Sequence, residues 1–94
     1  MLFRSDNTPP VIRKLSSSPG VFEFEAVDAM SPILEAEYSV DAKEWVRVEP
    51  LDGLSDSPTE KYRIRLDPKA RGGLLLLRVT DAARNVAAAS FTAP

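Results

Sequence analysis

The 94 residues include no cysteine and no histidine. Without thiols the fold has neither a disulfide nor a thiolate metal site. Without imidazole it loses the commonest general base, the commonest zinc ligand and the usual serine or cysteine triads. A catalyst built from this chain is restricted to carboxylates, lysine, tyrosine or serine, and a bound ion to oxygen-ligand species such as calcium. Aromatic residues are few, with a single tryptophan, Trp45. No apolar run approaches the ~20 residues of a membrane span. No signal peptide is visible, because Met1-Leu2-Phe3-Arg4 leads straight into Ser5-Asp6-Asn7; if the parent protein is secreted, its signal lies upstream. An excess of charge is missing too. The 12 basic and 14 acidic residues leave a net charge of -2, no electrostatic footprint for nucleic acid or an anionic membrane.

What is present reads as one soluble globular domain: 44% hydrophobic and 28% charged residues can fill a single core. Residues 1–10 read as a linker, since Asp6-Asn7-Thr8-Pro9-Pro10 joins turn formers to a proline pair that rejects helix. Residues 11–94 read as strands separated by turns. The organising stretch is Gly72-Gly73-Leu74-Leu75-Leu76-Leu77-Arg78-Val79-Thr80-Asp81. Four leucines in a row put apolar side chains on both faces of a strand, as in a central strand covered on both sides.

Around it, Val11–Leu15 is a short first strand closed by Ser16-Ser17-Ser18-Pro19-Gly20. Val21–Asp28 alternates, with Phe22, Phe24 and Ala26 to one side and Glu23 and Glu25 to the other. Ile33–Val40 alternates with Leu34, Ala36, Tyr38 and Val40 inward; its Leu-Glu-Ala-Glu start suits a helix, but the alternation and the β-branched end favour strand. After the turn at Asp41–Glu44, Trp45–Val48 returns antiparallel. A loop follows over residues 49–58, with a turn at Asp52-Gly53 and with Leu51 and Leu54 tucked beneath the domain. Lys61–Leu66 places Tyr62, Ile64 and Leu66 inward, and Val86–Phe91 closes the chain as a small-residue strand. About seven short strands and no crossover helix predict an all-β antiparallel sandwich.

Three stretches carry a resemblance: the entry Asp6-Asn7-Thr8-Pro9-Pro10, Glu37-Tyr38-Ser39-Val40-Asp41 ahead of Trp45, and Leu77-Arg78-Val79-Thr80-Asp81-Ala82-Ala83-Arg84-Asn85. In these the chain resembles bacterial immunoglobulin-like and fibronectin-type-III-like accessory modules, the last stretch matching their V-x-D-x-A-G-N hairpin. Arg84 stands where those modules have glycine, which predicts a different turn type. The antibody Cys…Trp…Cys framework, the fibronectin tryptophan of the second strand and a tyrosine corner are absent, with Phe22 and Phe24 in the tryptophan's place. The resemblance implies a secreted, periplasmic or surface location as part of a larger protein, and a non-catalytic linking or protein-interaction role.

Four candidate sites follow. The resemblance implies calcium at a domain junction, with Asp6, Asn7, Asp28, Asp81 and Asn85 as candidate ligands; the same residue types are also the best turn formers, and no EF-hand spacing is present, so no cofactor is expected. The outer face of the central strand, with Leu74, Leu76 and Arg78, is expected to share an apolar patch with Ala87, Ala89 and Phe91 of the last strand. Such a patch suits docking of a neighbouring domain or another protein, or else lies beneath the 50–58 loop. Trp45 is a candidate for stacking on a sugar ring, the alternative being packing over the sheet edge. The stretch Ser39–Trp45 approaches the Asp-box turn of sialidase-like propellers but is one residue short and lacks the glycine. Finally, the pairs Glu23/Glu25 and Glu35/Glu37 have no cleft to face each other across, as glycosidase carboxylates require. Cross-strand pairing with Arg47, Arg63, Arg65 and Arg78 is their expected role. The function expected is an accessory or interaction domain, with carbohydrate or other ligand binding as the alternative, and no enzyme.

Overall fold

The computed structural model describes residues 8–51 and 58–94. They form two antiparallel sheets of seven strands: β1 Val11–Ser18, β2 Val21–Val27, β3 Ile33–Ser39, β4 Val46–Val48, β5 Thr59–Arg65, β6 Leu74–Asp81 and β7 Val86–Thr92. One sheet has the order β1-β2-β5 and the other β4-β3-β6-β7. The chain thus changes sheet between β2 and β3, between β4 and β5, and between β5 and β6. None of the described residues forms a helix long and apolar enough to cross a membrane.

The alternation read from β2 and β5 holds. Phe22, Phe24 and Ala26 face Tyr62 and Ile64 across the β2–β5 ladder, and all five are buried. Phe24 stacks on Tyr62 with ring centroids 5.0 Å apart. From the opposite sheet Leu75, Leu77 and Val79 of β6 and Ile33 and Ala36 of β3 complete the core, each fully buried. Aliphatic and aromatic side chains from two inner faces fill one layer between the sheets.

Four local readings are corrected. β1 runs to Ser18 because its ladder with β2 slips at Leu15, between Lys14 and Ser16, and then continues. In β3 the register also slips at Leu34, between Ile33↔Asp81 and Glu35↔Thr80. This bulge puts Ile33 inward beside Ala36 and Tyr38, and the strand ends at Ser39. Val40, which the alternation places inward, is therefore 44% exposed. Trp45 precedes β4 instead of starting it. In β7 the pairing Leu75↔Phe91, Leu77↔Ala89 and Val79↔Ala87 sets Phe91, Ala89 and Ala87 on the inner face; Phe91 packs on Phe22 with centroids 5.0 Å apart. The outer face of β7 holds Val86, Ala88, Ser90 and Thr92.

Between β5 and β6 a single 3-10 turn, Pro68–Ala70, is capped by Asp67, whose side chain accepts the Lys69 N–H. The expected turn at Asp52-Gly53, the tucked Leu54 and any cover from the 50–58 loop fall largely on residues 52–57, outside the described residues. Leu51 is half exposed.

Candidate functional site

Ser39 and Asp41 position the one tryptophan. The Ser39 hydroxyl accepts the Ala42 N–H at 2.9 Å and donates to Asp41 Oδ1 at 3.1 Å. Asp41 Oδ1 in turn accepts the N–H groups of Lys43 at 2.8 Å and Glu44 at 3.0 Å. These bonds, led by that from Glu44, hold the Asp41 carboxyl below the usual carboxylate range. Ala42 takes a left-handed conformation, φ 63°, so the chain reverses within a few residues. Trp45 leaves this braced turn and lies over the four-stranded sheet, with the Arg78 guanidinium 4.0 Å from the ring centroid.

Arg78 is held from two sides. Its Nε donates to Glu37 Oε1 at 3.0 Å and its Nη2 lies 2.9 Å from the same oxygen. Glu37 and Arg78 are register partners on the outer faces of β3 and β6. A cation over a half-buried indole contributes roughly 0.5–2 kcal/mol, so the pair orients Trp45 as well as adding modestly to stability. Beside the ring is a shallow, open depression of about 350 Å³, lined by Trp45, Leu76, Leu77, Ala88, Ala89 and Ser90. Leu74, 53% exposed, continues the apolar strip along β6.

Of the residues expected on this face, Leu74, Leu76, Arg78 and Trp45 lie on it together. Phe91 belongs to the core side, and its place is taken by Ala88 and Ser90. An alanine-rich strand has no apolar alternation to set its phase. The usable signal was the single aromatic: with Phe91 turned inward, Ala87 and Ala89 follow at period two. Glu37, Ser39 and Asp41 also belong to the site, and each is a short polar residue of an ordinary-looking turn or strand.

The acidic residues gather at one end of the domain. Asp81 is fully buried and Asp28 nearly so. Asp28 Oδ1 accepts the N–H groups of Met30 at 2.8 Å and Ser31 at 2.9 Å. Asp81 Oδ1 accepts the Asn85 N–H at 2.8 Å, and Asn85 Nδ2 donates to Asp81 Oδ2 at 3.1 Å. Desolvation acts most strongly on Asp81 and pushes its carboxyl up, but hydrogen bonding with the Asp28 side chain and with Asn85 outweighs it, and the group sits below the usual range. Asp28 Oδ1 and both Asp81 oxygens are thus engaged in fastening turns. Among the described residues no group of three or more acidic, histidine or cysteine side chains is placed to hold a metal ion. Asp6 and Asn7 lie outside the described residues.

Arg84 completes the β6–β7 turn with φ 72°, and its N–H donates to the Asp81 carbonyl at 3.0 Å. The arginine therefore adopts the left-handed conformation that glycine takes without strain.

The chain matches none of the protein-family models and none of the curated proteins with which it was compared.

Proposed function

We propose that the chain is an immunoglobulin-like, fibronectin-type-III-like accessory module of a larger bacterial protein that works outside the cytoplasm. In this reading it is neither an enzyme nor a cofactor-binding domain, and it docks a neighbouring domain of the same polypeptide or another protein through Trp45, Leu74, Leu76 and Arg78. The strand order supports the immunoglobulin-like part. Strands one, two and five face strands three, six and seven, as in constant-type sandwiches, with the fourth strand moved to the edge beside the third.

The docking part rests on one observation: the apolar depression beside Trp45, open on the outer face of the sheet and framed by the oriented Arg78–Glu37 pair. An aromatic and an arginine at the rim of an apolar floor are the residue types that anchor protein contacts. A sugar ring on Trp45 is the alternative ligand. Arg78 already covers one face of the indole, which favours the protein partner.

Hydroxyl-radical footprinting of the longer polypeptide encoded by the same reading frame tests this. Trp45 and Leu76 are expected to react more slowly there than in the isolated 94-residue chain, and Leu76→Glu to restore the faster rate. Equal rates in the two proteins would remove the docking role, and a reading frame that encodes nothing further would remove the module.

A further inference from the structure

Four strands end a sheet, and three of them carry devices that keep sheets from joining edge to edge. β1 bears Arg13 and Lys14 and is bulged at Leu15. β4 is three residues long and carries Arg47. β5 presents Lys61, Arg63 and Arg65, and its edge is partly covered where Pro50 bridges Tyr62 and Leu51 N–H donates to the Lys61 carbonyl. β7 has none of these. From Val86 to Thr92 it has no charge, no proline and no slip against β6. Among the described residues, no group is hydrogen-bonded to its free edge.

We propose that β7 is a self-association edge through which two copies of this chain pair antiparallel about a two-fold axis at Ala89, joining their four-stranded sheets into one. Charge is the first reason. The two-fold sets Val86 opposite Thr92 of the second copy, Ala87 opposite Phe91, and Ala88 opposite Ser90, so no like charges meet, whereas self-pairing of β5 about its centre would set Lys61 opposite Arg63. The two Arg84 residues, each in the turn before its β7, lie at opposite ends of the ladder. Size is the second reason. Ala88 and Ser90 are the outward side chains at the centre of the strand, and both are small and exposed. The Trp45 depression reaches β7 at Ala88, Ala89 and Ser90 on the outer face of the sheet, whereas self-pairing uses the backbone of the strand's free edge.

Sedimentation equilibrium of the 94-residue chain tests the proposal, with amide hydrogen exchange on the same samples. A strand pair is a small interface, so the mean mass should rise toward two chains between about 10 µM and about 1 mM. The β7 amides should exchange at least several-fold more slowly at the upper concentration. Ser90→Lys should leave the melting temperature of the dilute domain unchanged and keep it monomeric; if that variant melts early, Thr92→Lys at the strand end replaces it. Trp45→Ala should still dimerise, which separates this edge from the docking depression. A monomer throughout the range overturns the proposal, as does a dimer whose β7 amides exchange at an unchanged rate. Protection of β7 by a foreign strand in a domain that stays monomeric also overturns it.

Discussion

On the outside of the β1-β2-β5 sheet, charged side chains pair across strands: Glu23 with Arg63 at 2.6 Å and Arg13 with Glu25 at 3.7 Å. On the outside of the β4-β3-β6-β7 sheet, one such pair, Glu37–Arg78, borders a strip of Leu74, Leu76, Ala88 and Ser90 beside Trp45. Inside, the two sheets are built alike from buried aliphatic and aromatic residues. The difference therefore has nothing to do with forming the core. A solvated face needs only the alternation of one apolar with one polar residue, and β2 and β5 supply it. β6 departs from that rule at Leu74 and Leu76, and an apolar side chain left half in water marks a surface with another role.

Neighbouring leucines of one strand break that comparison most sharply. Leu77 is fully buried and Leu76 faces outward. Leu77→Ala is expected to cost about 2–5 kcal/mol through lost burial and a cavity, while Leu76→Ala stays below about 1 kcal/mol. Urea melts of the two variants check this, and equal losses would show that the strip belongs to the core.

The buried acid at the end of β6 comes next. Asp81→Ala leaves the Asn85 N–H and side-chain amide without their acceptor, at a cost of roughly 1–3 kcal/mol. The sign of its pH dependence follows from its lowered pKa. Folded Asp81 binds a proton less readily than the unfolded chain does. Its contribution is therefore present above the unfolded value of about 3.9 and is lost as the pH falls through the lower folded value. Stability measured between about pH 5 and about pH 2 should fall less steeply in Asp81→Asn than in the parent.

A smaller effect, of opposite sign, is expected at the turn. Arg84→Gly relieves the left-handed strain of a side-chain-bearing residue, less the entropy of a more flexible unfolded chain, and should stabilise by on the order of 0.5–1 kcal/mol in thermal melts. The smallest effect sharpens the contrast between the outer faces. Glu23 is held below the usual range by its bond to Arg63, but the pair is solvated. A double-mutant cycle on Glu23 and Arg63 should therefore give a coupling that fades with added salt. The coupling of Arg78 to Trp45 should persist better, because the ring shields one side of the guanidinium.

Much of this was legible in the residues. The period-two patterns of Val21–Val27 and Lys61–Leu66 predict their inward faces, and the four leucines predict a strand apolar on both sides, because alternation is local and needs no knowledge of the neighbours. Turn chemistry is equally local, which is why the ends of β3 and β6 were readable at Asp41 and Asp81. The phase of β7 was less so: four of its residues are alanine or serine, and only pairing with Leu75, Leu77 and Val79 sends Phe91 inward.

Composition and sequence by themselves determined an all-β chain without thiol or imidazole chemistry and the approximate strands, and they singled out Leu74, Leu76 and Arg78 as an outward patch and Trp45 as a separate candidate. Tertiary structure alone decided that β3 carries a bulge at Leu34 and ends at Ser39, leaving Val40 exposed, that Arg84 holds a left-handed turn, and that Trp45 meets Arg78 across the sheet. It also decided that β7 ends its sheet with no charge to guard it. Each of these depends on which strand lies beside which and in what register, and hydrogen bonds between segments distant in sequence set that register where no local pattern of side chains can.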